Sequence, residues 1–183
     1  GTMTWEQLRD LARRGHTNAC HSSTHSDLAR WFAHEDQAAY ARRLQRELGE
    51  AKTLLEANVG QTIRHFCYPF GYYNTAVIAQ VRAAGYVTAT TVNPCVNTDA
   101  TPLYQLGRMI MAPWTTTDDL GAFLSSRALP VMALSPRDGA VVATATTALL
   151  VRVPPASALP LTSVRMKWNW RWADSNYDPV RGI

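Results

Sequence analysis

Apolar positions in the first 125 residues alternate between helical spacing and short β-prone runs. The helical spacing predicts helices over residues 4–14, 35–58, 75–84 and 117–125. The β-prone runs predict strands over residues 16–20, 63–68, 86–92 and 108–111. Strands that alternate with helices at this spacing predict parallel βαβ units, and therefore an α/β fold.

The longest predicted helix, residues 35–58, has one apolar face, and the pattern assigns its arginines and glutamates to the opposite face. The apolar face consists of Tyr40, Leu44, Leu48, Ala51 and Leu55. Terminal signals support the helix boundaries. Thr4 and Gln7 form a capping box for the first helix, Asn74 caps a later one, and Gly60 ends the longest.

The sequence changes character near residue 130, where short runs of Val, Thr and Ala are interrupted by prolines. We therefore expect an α/β domain over residues 1–130 and a small, all-β module over residues 131–183. Residues 135–142 resemble the opening of bacterial immunoglobulin-like modules. Three tryptophans would share one face of a strand in this module, either in a sandwich core or as a sugar-stacking platform. They are Trp168, Trp170 and Trp172.

The composition is that of an ordinary globular protein, with 46% hydrophobic and 17% charged residues, a formal net charge of +4 and no run of basic residues. This charge pattern does not support nucleic-acid binding. The longest apolar stretch, residues 140–153, contains Arg152 and is too short to span a bilayer. Three cysteines, one of them Cys95, exclude a disulfide-rich scaffold, and we expect Cys20 and Cys67 as buried residues on neighbouring strands.

The candidate chemistry centres on His21 and His25, which are separated by three residues. A single turn can bring two such imidazoles to the same side, and neutral imidazole is a common ligand of zinc and similar ions. His21 follows a predicted strand, and in α/β barrels functional residues lie at the carboxyl ends of strands. The alternative is a capped turn whose histidines bind only water and backbone, and the spacing alone does not choose between the two.

Two segments in order resemble the polysaccharide deacetylase family, the NodB-homology enzymes of carbohydrate esterase family 4. The first is His-Ser-Ser-Thr-His at residues 21–25, preceded by the Gly-His pair at residues 15–16. The second is Arg-His-Phe-Cys-Tyr-Pro-Phe-Gly at residues 64–71, continued by Tyr-Asn at residues 73–74. The resemblance covers roughly residues 3–125. It implies a distorted (β/α)7 barrel, of which this chain would supply the later strands.

The resemblance also implies roles for individual residues. His21 and His25 would bind a divalent metal, zinc or alternatively nickel or cobalt, together with an aspartate. Arg64 would orient a catalytic aspartate, and the backbone N–H of Tyr68 would assist the metal at the oxyanion. Tyr68 and Pro69 would belong to the loop that contacts the substrate.

Trp114, which follows a predicted strand, is a further candidate for lining a saccharide groove. One family motif has no match: Thr-Phe-Asp-Asp, which supplies the third ligand and the base, is not among the residues before His21. Residues 116–119 resemble it superficially, but they begin a predicted helix. The family's general acid is a histidine late in the sequence, and this chain has no histidine after His65. We therefore expect the chain to correspond to the later part of a longer enzyme.

The resemblance implies a metal-dependent hydrolase that removes N-acetyl groups from a polysaccharide, most similar to bacterial enzymes that act on poly-N-acetylglucosamine. Such an enzyme would be bacterial and extracytoplasmic: secreted, periplasmic or on the cell surface. Because the aspartates are missing, one alternative is a non-catalytic carbohydrate-binding or surface-assembly protein on the same scaffold. A third reading is a structural domain in which the histidine pair binds nothing.

Overall fold

The computed structural model describes residues 3–129, 131, 133–135, 150–153, 166–168, 171–173, 176, 178 and 180. The chain divides into two compact units, Gly1–Ser126 and Arg127–Ile183. This division lies close to the boundary predicted at residue 130. Within the described ranges, no helix has the length and apolar character needed to cross a membrane.

The first unit contains five α-helices among its described residues. They are α1 Trp5–Arg13, α2 Gln37–Leu44, α3 Ala51–Val59, α4 Thr75–Ala83 and α5 Thr117–Ser125. Side-chain caps satisfy the free N–H groups at the start of four of these helices, which explains why they begin where they do. The capping residues are Thr4, Asp36, Asn74 and Thr116. The capping box predicted for α1 is confirmed, because Thr4 and Gln7 exchange both hydrogen bonds.

Helices α2 and α3 are two parts of one continuous helix, joined by a π-helical stretch, Gln45–Glu50, and ended by Gly60 in the left-handed conformation (φ +71°). The predicted apolar positions Tyr40, Leu44 and Leu48 are buried. Arg43 and Glu47 are buried as well. The expectation that all arginines and glutamates of this helix lie on the opposite face was therefore wrong for these two residues.

Strands β1, His65–Cys67, and β2, Thr88–Thr90, pair in parallel, with Phe66 opposite Ala89. Single parallel bridges extend the pair on both sides, one between Cys20 and Phe66 and one between Leu106 and Thr90. The order across the sheet is therefore the order along the chain. The prediction of parallel βαβ units is confirmed, and closure into a seven-stranded barrel stays a prediction.

Two predicted strands are not found as such. Residues 16–20 contribute only the bridge at Cys20, and residues 108–111 form no strand. The pairing falls instead on Leu106, whose N–H donates to the Ala89 carbonyl (3.0 Å) and whose carbonyl accepts from the Thr91 N–H (2.8 Å). The chain leaves the sheet at Gly107, where a side chain would collide with the Cys95 sulfur.

The core of the first unit is built by side chains from the sheet, the long helix and α4. Its members are Cys20, Leu28, Tyr40, Leu44, Leu48, Ile63, Phe66, Tyr68, Val77, Val81, Tyr86 and Ala89. Burial of a large apolar side chain contributes about 1.5–3 kcal/mol. Cys20 is buried and Cys67 partly buried on neighbouring segments, close to the expectation from sequence.

The described strands of the second unit form two antiparallel pairs. Strand β3, Ala133–Ser135, pairs with β4, Leu150–Arg152, and β5, Met166–Trp168, pairs with β6, Arg171–Ala173. Residues 136–149 and 169–170 lie outside the described residues, as do the side chains of Trp168 and Trp172. The immunoglobulin-like fold and the roles of the three tryptophans therefore stay predictions.

Candidate functional site

His21 leaves the sheet at the carboxyl end of the strand segments. The Cys20 N–H donates to the His65 carbonyl (3.0 Å), and the Cys20 carbonyl accepts from the Cys67 N–H (2.8 Å). These two bonds lock residue 20 into the sheet, so the next residue must emerge at its carboxyl edge. That edge is where parallel α/β proteins place their chemistry.

A tight turn returns the chain so that His25 lies beside His21. Ser22 and His25 both have positive φ, +65° and +58°. The Ser22 Oγ accepts a hydrogen bond from the His25 N–H (2.9 Å) and closes the turn. The two imidazole centroids are 4.7 Å apart, with the ring planes at 78°. The structure therefore brings together the two histidines that the sequence paired.

The orientation of the His21 ring is fixed by the backbone. Its Nδ1 lies 2.8 Å from the Cys67 carbonyl oxygen. A carbonyl only accepts, so Nδ1 carries the proton and Nε2 keeps its lone pair, the arrangement that metal-binding histidines adopt. Partial burial lowers the pKa of His21, with His25 and Arg108 acting in the same direction and the Cys67 carbonyl opposing them. The net lowering of the pKa favours a neutral ring, and the hydrogen bond to the Cys67 carbonyl selects the tautomer in which Nε2 is free.

Glu47, a residue of the π-helical stretch, binds the turn formed by residues 21–25, here called the histidine turn. Its Oε2 accepts from the N–H groups of Ser23 (3.0 Å) and Thr24 (2.9 Å), and its Oε1 accepts from the Thr24 hydroxyl (2.7 Å). Glu47 is only 6% exposed. Sequence reasoning missed this residue. The sequence signal that could have indicated it is the position of Glu47 between Leu44 and Leu48, beside the apolar face of the helix.

The second wall of the site is the turn after β1. Pro69–Gly71 forms a 3₁₀ turn in which Phe70 has φ +56°. The Phe70 ring is half exposed and lies edge-on to His25, with centroids 4.6 Å apart. Gly71 (φ +75°) packs against the Val92 side chain and backbone, where a Cβ would not fit. Sequence reasoning also missed Phe70 as the residue beside His25.

Tyr68 and Pro69 lie in the interior. Tyr68 is fully buried, stacks on Tyr73 and donates its hydroxyl to the Tyr104 carbonyl (3.0 Å). Burial raises the pKa of its phenol. The Tyr68 N–H, expected at the oxyanion, donates to the Thr90 carbonyl in the sheet (3.0 Å). The structure therefore commits this N–H and this side chain to the fold rather than to the histidine turn.

Arg64 lies at the other end of β1 from His21. It immediately precedes the strand, and its carbonyl accepts from the Val87 N–H (2.8 Å), whereas the His21 ring binds at Cys67, the last residue of the strand. Its exposed side chain lines a separate cavity of about 460 Å³. The other lining residues are Thr17, Gln61, Thr62 and His65. The structure does not bring Arg64 together with the histidine pair.

A different arginine, Arg108, reaches the carboxyl edge. It follows the bridge at Leu106, and its Nε donates to the Thr91 carbonyl (2.8 Å). Its positive charge is close enough to act on His21. No described carboxylate pairs with it. Nothing in the sequence signalled this role, because the pattern predicted Arg108 as the first residue of a strand over residues 108–111.

The described residues supply two side chains for a metal and no more. Within them, no group of three or more His, Cys, Asp or Glu side chains could hold an ion. Asp119 completes the capping box of α5, and its carboxylate accepts from the Thr116 N–H (2.9 Å) and hydroxyl (2.7 Å). The pair His21 and His25 thus fits two positions of a metal site. Trp114 is 81% exposed and stays a candidate by position only.

Residues 2–89 match the family model for polysaccharide deacetylase. This parallel α/β segment, with its histidine pair at the carboxyl edge, is therefore similar to the polysaccharide deacetylase family, as the two sequence motifs predicted. No curated protein matches the chain.

Three examples illustrate the solved structures that share the fold. The Streptococcus pyogenes deacetylase PplD, in complex with acetate, has 20% identity and a TM-score of 0.58 over 69% of this chain and 52% of that one. The deacetylase domain of BpsB from Bordetella bronchiseptica has 25% identity and a TM-score of 0.54 over 58% and 48%. A de-N-acetylase from Aggregatibacter actinomycetemcomitans has 16% identity and a TM-score of 0.56 over 66% and 53%. The chain spans about half the length of these structures.

Proposed function

We propose that this chain is part of a metal-dependent polysaccharide N-deacetylase in which His21 and His25 bind a divalent cation. Zinc is the expected ion, with nickel or cobalt as alternatives. The observation that carries the proposal is the geometry of the pair: rings 4.7 Å apart, with Nδ1 of His21 held by the Cys67 carbonyl. An ordinary capped turn has no need for a histidine whose tautomer is fixed so that Nε2 stays free.

The chemistry needed is attack of water on an acetamide carbonyl. A bound divalent ion supplies polarisation of that carbonyl and a lower pKa for water. The Phe70 N–H is the donor we assign to the developing oxyanion, in place of Tyr68. It lies in the turn that contacts His25, and it has no acceptor within the described part of the chain. A preorganised N–H of this kind stabilises charge that appears only in the transition state.

The substrate is an N-acetylglucosamine polymer outside the bacterial cytoplasm. A cavity of about 500 Å³ beside the histidine turn would accept neighbouring sugar units. It is lined by Asp27, Ala29, Arg30, Gly71, Tyr72 and Tyr73. Tyr72 is 46% exposed and offers a ring on which a sugar can stack. Trp114 remains a second, weaker candidate for the same purpose.

One component is still required, a carboxylate base. Glu47 cannot serve, because its oxygens already accept three hydrogen bonds. The base and the third ligand would come from residues other than the described ones. The two-ligand set also favours a second candidate function, a protein that binds acetylated polysaccharide without cleaving it.

Zinc titration by calorimetry tests the metal site. We expect one zinc per wild-type chain, and at least tenfold weaker binding for His21→Ala and for His25→Ala, because each removes a ligand. His16→Ala is the matched control, since His16 is exposed and outside the site. Unchanged zinc affinity in both site variants would refute the proposal.

Acetate release from an N-acetylglucosamine oligomer separates the two candidate functions. Release that depends on zinc and on His21 supports the deacetylase. Because the described residues supply no base, the assay separates the two only in a protein that also carries the family's Thr-Phe-Asp-Asp segment. Zinc and oligomer binding without release from that protein supports the non-catalytic binder.

A further inference from the structure

We propose that Glu47 is a positioning residue for the metal ligands: its buried carboxylate holds the turn that presents His21 and His25. The inference rests on the proposed metal site. It adds that metal binding requires a residue of the π-helical stretch Gln45–Glu50. Glu47 touches neither histidine. It acts on them through the two residues between them that it binds.

The carboxylate occupies the middle of the turn. It accepts hydrogen bonds from the N–H groups of Ser23 and Thr24. These two residues lie between Ser22 and His25, which both have a left-handed backbone conformation. Non-glycine residues rarely adopt that conformation, so contacts elsewhere must hold it. Three hydrogen bonds to one charged acceptor are strong enough to do so, because bonds to ionised groups are stronger than neutral ones.

Because the Glu47 side chain is buried, water cannot replace the three hydrogen bonds that its carboxylate accepts. Glu47 is 6% exposed, and no described cation lies within ion-pair distance of it. The charge of Glu47 acts on Arg43, four residues earlier on the helix, but Arg43 forms its ion pair with Glu35. The hydrogen bonds that the Glu47 carboxylate accepts therefore all come from N–H and O–H donors of the histidine turn. Its negative charge adds a favourable field for a cation bound above that turn.

The π-helical stretch explains how Glu47 reaches the turn. Leu44 and Leu48 bury their side chains on both sides of it along the same face. The wider helical turn at Gln45–Glu50 carries the Glu47 carboxylate on the same buried face as the two leucines. Such π-helical insertions occur frequently at functional sites.

Glu47→Gln tests the proposal with little change of shape. The variant keeps one acceptor but turns an NH₂ group toward donors, and it removes the charge. We expect zinc affinity to fall about tenfold, the effect typical of losing a residue that orients ligands. Amide hydrogen exchange at Ser23 and Thr24 should become faster in the metal-free protein. Glu50→Gln, an exposed glutamate of the same stretch, is the control and should change neither quantity.

Thr24→Val provides a second variant in case Glu47→Gln does not fold. It removes only the hydroxyl bond to Oε1, at an exposed residue, and should weaken zinc binding about threefold. Thr24→Ser keeps a hydroxyl and should restore wild-type affinity. A purely structural role would lower the unfolding midpoint without changing the zinc affinity of the folded protein.

The outcomes separate the two proposals. If the wild-type chain binds zinc, and Glu47→Gln and Thr24→Val bind it equally well, the positioning role is wrong. If the wild-type chain binds no zinc, the proposed function fails, and amide exchange alone decides whether Glu47 holds the turn. Unchanged exchange at Ser23 and Thr24 in Glu47→Gln then overturns this inference as well.

Discussion

At the scale of single residues, unusual backbone geometry is concentrated at the candidate site. Four non-glycine residues of the described chain have positive φ, and three of them, Ser22, His25 and Phe70, belong to the site. This conformation costs a non-glycine residue about 1–2 kcal/mol. Strained backbone of this kind persists where the surroundings over-determine it, and it clusters at functional sites. The two turns that form the site are therefore held by their contacts rather than by local preference.

Gly71→Ala tests how tightly the Phe70 turn is held. The added methyl would meet Val92, and the residue would keep a positive φ of +75°. Gly85→Ala is the matched control, because it has a similar φ (+80°) but open space around it. We expect a loss of about 1 kcal/mol for Gly85→Ala from backbone strain. Gly71→Ala should lose about 1–3 kcal/mol more from the collision. Urea unfolding measures both, and equal losses would show that the Val92 contact is unimportant.

The same residues show what a single sequence reveals about a site. His21 and His25 could be predicted, because their spacing is visible in the sequence and the turn does bring them together. Phe70 could not, since nothing in a phenylalanine signals a left-handed backbone. The sequence therefore favoured the neighbouring Tyr68, whose N–H the sheet uses.

At the scale of elements, the long helix joins the core to the site. Its face carries apolar residues at the predicted spacing, and it also carries Arg43 and Glu47 into the interior. Glu47 supports the histidine turn. Arg43 binds Glu35 through two bonds, Nε to Oε1 (2.8 Å) and Nη2 to Oε2 (2.9 Å), and donates to the Arg30 carbonyl (2.7 Å). One helix thus anchors the segment that follows the histidine turn as well as the turn itself.

The Glu35–Arg43 ion pair gives the fold a pH dependence. The hydrogen bonds from Arg43 hold the pKa of Glu35 at about 2, below its ordinary value. A depressed pKa means that the pair stabilises the fold fully above the unfolded pKa and that this contribution is lost as pH falls toward 2. We expect Glu35→Gln to lower the unfolding temperature at pH 6 and to have little effect near pH 2. A difference between variant and wild type that is constant from pH 6 to pH 2 would contradict the assignment.

The sequence located this helix and its end at Gly60 because apolar periodicity and a terminal glycine are local signals. It could not locate the two interior charges. Whether Arg43 and Glu47 face water or protein depends on what packs against them. Their partners Glu35, Ser23 and Thr24 all lie before the start of the helix in the structure, although the sequence placed Glu35 inside it. The predicted strand at residues 108–111 failed for a related reason, because pairing at Leu106 is decided by its neighbour β2.

At the scale of the whole molecule, the chain combines a family segment with a second unit of antiparallel strands. The α/β class and the similarity to the polysaccharide deacetylase family were predicted from sequence and are confirmed over residues 2–89. The chain spans about half the length of the solved structures that share its fold. The buried cluster that holds the site nevertheless lies entirely between Cys20 and Ala89. The histidine pair and the buried core that supports it therefore occupy one continuous stretch.

This concentration of the core predicts that Gly1–Ser126 produced alone folds by itself. Its unfolding midpoint should lie within about 5 °C of the corresponding transition in the full chain, a shift worth about 1 kcal/mol in a domain of this size. Circular dichroism measures both transitions. Phe66→Ala, which empties a fully buried position, should destabilise fragment and full chain equally, by about 3–5 kcal/mol. A fragment that melts without cooperativity, or that is insensitive to Phe66→Ala, would show that the first unit needs residues beyond Ser126 to form its core.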